Sequence, residues 1–270
     1  MDNLQSYLEA VRNLASMAGE KILEVYQTEF AVETKDDLTP VTQADLLANE
    51  VILAGLKALT PDIPVISEEG SLPSFAERSK WQRYWLVDPL DGTREFIQKN
   101  GEFTVNIALI ENQQAILGVV YAPVLQLMYY AIKGEGSFKT SAHSQTEKIN
   151  VKNNCTTPVR VAGSQSFTSN DFIDFVRNIP ECSVINLGSA LKSCLVAEGG
   201  ADIYPRFGLT SEWDTAATQC ILEEAGGYLV DMDLQPLRYN TKDSLLNPHF
   251  LAFGDNKMDW VSYCEKALTN

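Results

Sequence analysis

Tyr84-Trp85-Leu86-Val87-Asp88-Pro89-Leu90-Asp91-Gly92-Thr93 is an apolar run that ends in two carboxylates, a proline and an Asp-Gly step. Its first half reads as a strand, and a short helix is expected to start at Gly92. Asp88 and Asp91 are three apart, so on a straight strand they would face opposite sides. Pro89 is expected to break the strand and let the chain curl until both carboxylates and the intervening Leu90 carbonyl converge. An all-oxygen set of that kind suits a hard cation such as Mg2+. The backbone N–H groups of Gly92 and Thr93 at a helix start offer an anion site beside it. The plain alternative is an Asp-Gly turn at a strand end. The aspartyl-phosphate phosphatase pattern needs Asp-x-Asp, and the Asp-x-x-Asp spacing here does not provide it.

Two further segments carry acids in similar settings. Val65-Ile66-Ser67-Glu68-Glu69-Gly70 puts paired acids directly after a short apolar strand, and Ser211-Glu212-Trp213-Asp214-Thr215-Ala216-Ala217 places an acid at the start of an apolar helix. Each has an ordinary reading: Glu68-Glu69 as a solvated loop, Asp214 as a charge favoured by the helix dipole.

Outward from these motifs, the chain reads as alternating helices and strands. Helices are predicted over about 3–28, 42–59, 169–178, 189–199 and 213–225. Strands are predicted at Pro64–Ser67, Tyr84–Val87, Val105–Glu111, Ala115–Tyr121, Leu127–Ile132, Val159–Ala162, Val184–Asn186 and Tyr228–Leu229. Gly199-Gly200 and Gly226-Gly227 are good helix stops. The apolar stretch Ala115 to Ile132 is interrupted by Gly118, Pro123 and Gln126, and reads as two buried strands rather than a spanning helix. Residues Ser141 to Thr157 are polar and lose periodicity, which suggests a sub-domain boundary near 150–158. The alternation predicts a layered α/β (α+β) architecture.

The chain of 270 residues, 45% hydrophobic and 21% charged, is long enough for one large domain or two sub-domains. Its 21 Lys+Arg against 36 Asp+Glu give a formal net charge of -15, a poor surface for nucleic-acid polymers. Small anions are not excluded, since bound cations invert the local field. The five scattered cysteines include no Cys-x-x-Cys pair, which fits a reducing compartment rather than a disulfide framework. Only two histidines occur, far apart, which speaks against zinc hydrolase chemistry. No export signal and no transmembrane segment are expected.

The motif Asp88-Pro89-Leu90-Asp91-Gly92-Thr93, preceded by Ser67-Glu68-Glu69 and followed by Trp213-Asp214-Thr215-Ala216-Ala217, resembles the inositol-monophosphatase-like superfamily over essentially the whole chain. Asp37-Leu38-Thr39-Pro40-Val41-Thr42-Gln43-Ala44-Asp45, Gly188-Ser189-Ala190-Leu191-Lys192 and Ala201-Asp202-Ile203-Tyr204-Pro205-Arg206 resemble its 3'(2'),5'-bisphosphate nucleotidase branch, bacterial members above all.

That resemblance implies an α-β-α-β-α sandwich of the inositol monophosphatase and fructose-1,6-bisphosphatase type. It implies an N-terminal sub-domain over 1–155 with most metal ligands, and a C-terminal one over 156–270 with Asp214 and substrate residues. Glu68, Asp88, Asp91, Asp214 and the Leu90 carbonyl would bind two to three Mg2+. Thr93 would touch the attacking water, and Asp45 would polarise that threonine. Glu68, Gly92, Thr93, Ser189, Lys192, Arg206 and Asp214 would contact substrate, while the role of Lys35 stays open.

Asp45 also has a purely local reading, a capping box with Thr42. The two readings are expected to compete, because a carboxylate turned to its own helix end is not free for Thr93. The implied activity is lithium-sensitive hydrolysis of adenosine 3',5'-bisphosphate to AMP and phosphate, without a phosphoenzyme. An inositol or sugar monophosphatase using the same metal site is the alternative, and a catalytically dead binding protein is a more distant one. The expected location is the cytoplasm, with peripheral attachment to the inner membrane face left open, as is the oligomeric state.

Overall fold

The computed structural model describes residues 4–29, 31–34, 40–142, 144–164 and 169–268. The first part holds α1 (Leu4–Tyr26), the hairpin β1 (Val32–Thr34) and β2 (Pro40–Thr42), and α2 (Gln43–Leu59). Then come β3 (Val65–Ser67), α3 (Phe75–Arg78), β4 (Arg83–Asp91), α4 (Thr93–Ile97), β5 (Thr104–Glu111), β6 (Gln114–Ala122), β7 (Leu127–Ile132), β8 (Gly136–Ser141) and β9 (Ser144–Ile149). Strands β3 to β9 form a seven-stranded sheet in sequence order, parallel only between β3 and β4.

The remainder holds β10 (Val159–Gly163), α5 (Asn170–Asn178), β11 (Cys182–Asn186), α6 (Leu191–Ala197), β12 (Ile203–Arg206), α7 (Glu212–Glu224), β13 (Tyr228–Asp231), β14 (Phe250–Phe253) and α8 (Trp260–Leu268). Its sheet has the order β11-β10-β12-β14-β13.

Side-chain alternation explains the layering. Along β4, Trp85 and Val87 point to one core with Val11, Ala15 and Ile22 of α1 and Ala48, Ile52 and Leu56 of α2. Tyr84 and Leu86 point the other way, to a core with Cys194 and Val196 of α6 and Ala217, Ile221 and Leu222 of α7. That second core continues into Ala162, Tyr204, Leu229 and Ala252 of the five-stranded sheet, so α6 and α7 lie between the sheets. On the far side, Phe175 of α5 with Trp260 and Cys264 of α8 cover Val161, Ile203 and Leu251. The result is an α-β-α-β-α sandwich, and the layered α/β expectation is met.

Because both faces of the large sheet are covered, its central strands are apolar at nearly every position. Each fully buried Val, Leu or Ile contributes about 1.5–3 kcal/mol by leaving water. The approach of α7 is tight: a Cβ on Gly118 of β6 would lie 2.3 Å from the Ala217 carbonyl oxygen, so only glycine lets the helix backbone settle there.

Several expectations need correction. Ser141 to Thr157, read as aperiodic, contains β9 and the end of β8. Ser144 to Lys148 are exposed, and a polar edge strand leaves no apolar period to read. Strand β12 was not anticipated, because Pro205 sits in it opposite Leu251 and proline argues against a central strand. Strand β14 and helix α8 were also not anticipated. Ala115 to Ile132 forms β6 and β7 as expected, and among the described residues no helix is long and apolar enough to cross a membrane.

Candidate active site

The acidic turn is built by a bulge. Strand β4 pairs with β5 through Val87 to Ile107 and Asp88 to Asn106, but then through Asp91 to Thr104. Pro89 and Leu90 therefore stand opposite Val105 alone, one residue too many for a regular ladder. The extra residue changes the parity. Asp88 follows Tyr84 and Leu86 on the face toward α7, and Asp91, three residues later, returns to that face. Leu90 enters the core under α1 and α2. The strand thus runs through to Asp91 rather than breaking at Pro89. Proline is tolerated because the ladder is already interrupted there. Inside the bulge, Leu90 N donates to Asp88 Oδ1 at 3.0 Å.

Helix α7 begins over this face and brings the third acid. Ligand oxygens of Asp88, Asp91 and Asp214 lie within 4.8 Å of one another. Asp214 Oδ2 accepts from Ser211 N at 2.8 Å, closing a capping box, so the helix-end role and the cluster role coexist. Glu68 arrives from the neighbouring strand end: its N–H donates to the Val87 carbonyl at 3.1 Å, which sets the residue beside Asp88.

Charge and burial work against this cluster. Burial first, then the charges of Glu68, Asp91, Asp214 and Asp45, push the Asp88 carboxyl well above the usual range. Asp214 is pushed up to about 8, again by burial first and then by Asp91. An all-oxygen donor set carrying more negative charge than its surroundings neutralise fits a hard divalent cation such as Mg2+.

Asp45 makes the contacts of both readings at once. Its Oδ2 accepts from Thr42 N at 2.8 Å and Thr42 Oγ1 at 2.7 Å, while Oδ1 accepts from Thr93 Oγ1 at 3.3 Å. The expected competition is absent because the two oxygens divide the work. Thr93 opens α4 after Gly92, which adopts φ 92° and ψ 44°. Only glycine takes that conformation at little cost, and a Cβ there would also crowd Ser189 Cβ at 3.2 Å.

The other expected substrate residues are placed differently from one another. The helix expected over 189–199 starts only at Leu191, as α6, and Ser189 precedes it with φ 53°. The left-handed region costs a non-glycine residue roughly 1–2 kcal/mol. Ser189 Oγ donates to Asp91 Oδ2 at 2.6 Å. Lys192 is buried at 5% exposure, its Nζ donating to the carbonyls of Ser189 at 2.7 Å and Leu187 at 3.4 Å. Burial lowers its pKa to about 8, partly offset by Asp91 and deepened by Arg206. Arg206 ends β12 half-buried, with Nη2 donating to the Leu209 carbonyl at 3.1 Å. Lys35 lies outside the described residues.

Sequence reasoning missed Thr104 and Asn106, both buried in apolar β5 and facing Asp91. Two polar residues at alternate positions of an otherwise apolar strand were the signal available.

The model of the inositol monophosphatase family matches residues 3–258. A Salmonella typhimurium protein named 3'(2'),5'-bisphosphate nucleotidase CysQ is 49% identical over 245 residues, covering 90% of this chain and 98% of that protein. A protein of the same name from Escherichia coli is 47% identical over 245 residues, with the same coverage of 90% and 98%. The crystal structure of CysQ from Bacteroides thetaiotaomicron, described as a bacterial member of the inositol monophosphatase family, superposes with a TM-score of 0.81 at 37% identity. That match covers 94% of this chain and 99% of the other. With its five-layer sandwich and acidic bulge, this chain belongs to the inositol monophosphatase family.

Proposed function

We propose that the protein is a Mg2+-dependent phosphatase that hydrolyses adenosine 3',5'-bisphosphate to AMP and phosphate by direct attack of water. The convergence of Asp88, Asp91 and Asp214 beside the Asp45–Thr93 pair carries the reading. The shared name of relatives nearly half identical over nine-tenths of the chain supports the substrate.

Asp88, Asp91, Asp214, Glu68 and the Leu90 carbonyl would hold two to three ions. When bound, Mg2+ supplies Lewis-acid chemistry, lowering the pKa of water and neutralising charge on the phosphoryl and leaving oxygens. Thr93 gives its hydroxyl hydrogen to Asp45 Oδ1, so Thr93 Oγ1 presents lone pairs that orient a water hydrogen. The N–H groups of Gly92 and Thr93, at a helix start with no intrahelical acceptor, face phosphoryl oxygens. Arg206 meets the second phosphate with its fork of donors. In this reading the site lies where residues 1–155 meet residues 156–270, which contribute Asp214 and Arg206. Five cysteines with no disulfide among the described residues fit a reducing cytoplasm.

The test is phosphate release from adenosine 3',5'-bisphosphate and from inositol 1-phosphate, with Mg2+ and with excess EDTA. Turnover is expected only with metal, suppressed by Li+, with the higher kcat/KM on the bisphosphate. Full turnover in EDTA would overturn the metal site. A higher kcat/KM on inositol 1-phosphate would overturn the nucleotidase.

A further inference from the structure

Asp91 meets its neighbours through one oxygen. Ser189 Oγ donates to Asp91 Oδ2 at 2.6 Å, and Asn106 Nδ2 donates to the same atom at 3.4 Å. Thr104 Oγ1 lies 2.5 Å from Ser189 Oγ and donates to Asn106 Oδ1 at 2.9 Å. Ser189 thus commits its single hydrogen to Asp91, and the Thr104 hydrogen is shared between Ser189 Oγ and Asn106 Oδ1. Thr104 and Asn106 are buried at 0% and 1% exposure. Their placement follows from the bulge, which pairs Asp91 with Thr104 and Asp88 with Asn106.

The Ser189 end of this net is held from behind. Leu187 N donates to the Gly163 carbonyl at 3.0 Å, and Gly188 N to Glu102 Oε2 at 2.8 Å. Lys192 Nζ ties the carbonyls of Ser189 and Leu187 together from beneath, 5.4 Å from the Tyr204 ring centroid. A serine with φ 53° persists where its surroundings over-determine it, and these contacts do so.

We propose that Ser189, Thr104 and Asn106 are positioning residues that fix Asp91 for metal binding, and that Lys192 anchors this shell through the Ser189 carbonyl rather than touching substrate. The proposal rests on the metal reading above. Residues that orient a metal ligand typically change metal affinity about 10- to 100-fold when removed.

The test is Mg2+ binding by calorimetry to the substrate-free full chain, beside kcat/KM on adenosine 3',5'-bisphosphate and on a simple phosphate monoester. Ser189→Ala, Thr104→Val and Lys192→Met are expected to weaken Mg2+ binding about 10-fold or more. Thr104→Ser, which keeps the hydroxyl, is expected to restore it. The Ser189→Ala/Lys192→Met double variant should bind no more weakly than the worse single one, because both act through one chain. Activity losses should be equal on the two substrates and recover as Mg2+ is raised.

Loss confined to the bisphosphate in Lys192→Met, with Mg2+ affinity unchanged, would make Lys192 a substrate contact and overturn the proposal. A double variant whose losses multiply would overturn the chain. If Lys192→Met does not fold, unchanged Mg2+ affinity in both Ser189→Ala and Thr104→Val overturns it equally. A wild-type chain that takes up no Mg2+ would instead bring down the metal reading, and this proposal with it.

Discussion

Replacing Asp45 by Asn separates two tasks that one carboxylate performs. Asp45 Oδ2 accepts two hydrogen bonds from Thr42, and Oδ1 accepts one from Thr93. An amide has one accepting oxygen, so it can keep the Thr42 contacts or the Thr93 contact but not both. If the oxygen stays with Thr42, an N–H group faces Thr93 Oγ1 and reverses the direction in which that hydroxyl donates. The cap side is worth about 1 kcal/mol, which for a chain of this size lowers the melting temperature by roughly 2–4 °C. The catalytic side is larger: positioning of this kind is worth about 100- to 10,000-fold in kcat.

Thr42→Ala provides the comparison, since it removes both contacts of the Thr42 hydroxyl, to Asp45 Oδ2 and from Ala44 N, and leaves the Thr93 contact in place. Both variants should therefore melt a few degrees lower by differential scanning fluorimetry. Only Asp45→Asn should lose turnover by two orders of magnitude or more in a phosphate-release assay. If the two variants match in melting and both turn over near the wild-type rate, Asp45 is a helix cap and nothing more.

Asp88→Asn should abolish turnover while raising the melting temperature of the metal-free chain, because an amide stays neutral in this buried acidic cluster without having to take up a proton; an unfolded variant would mark Asp88 as structural. Asp214 has a folded pKa raised from 3.8 to about 8. Its stabilising proton is therefore fully present below pH about 4 and lost as the pH climbs through about 8. The metal-free melting temperature should fall over that window, the gain on adding Mg2+ should grow, and a gain that stays level from pH 5 to 9 would count against the assignment. Arg206→Ala should cost about 10- to 150-fold in kcat/KM on adenosine 3',5'-bisphosphate, the worth of one charge-assisted contact, and far less on a simple monoester. Equal losses on both would remove Arg206 as the second-phosphate contact.

What could be read from the chain alone was whatever local periodicity writes. Helices α1, α2 and α5 bury one stripe each against a sheet, and their apolar spacing shows it. Strands β6 and β7 were readable because Pro123 and Gln126 punctuate a run too apolar for anything exposed. Strand β9 presents five exposed polar side chains and β12 contains Pro205, so neither bears a strand's usual mark. The acids of the site stood out as types and positions, but their meeting depends on tertiary contacts. Asp214 reaches Asp88 because α7 settles on β6 at Gly118. Asp91 joins them through a register change that takes both strands of the pair to define. The left-handed turn at Ser189 was hidden for a related reason: serine there is locally unfavourable, and Lys192 and Glu102, distant from it in different senses, hold it.

The bulge at Pro89 and Leu90 makes the relative length of the two paired stretches as consequential as their composition. Adding one residue to β5 between Thr104 and Asn106 would keep every chemical group of the site and restore an ideal pleat. It would also swing Asp91 through the sheet into the aliphatic layer beneath α1 and α2, where an unpaired carboxylate costs on the order of several kcal/mol. Swapping Pro89 or Leu90 for another residue leaves the count intact and keeps Asp91 on its side. What holds Asp91 beside Asp88 is therefore the one-residue difference between the paired stretches, not the identity of the extra residue.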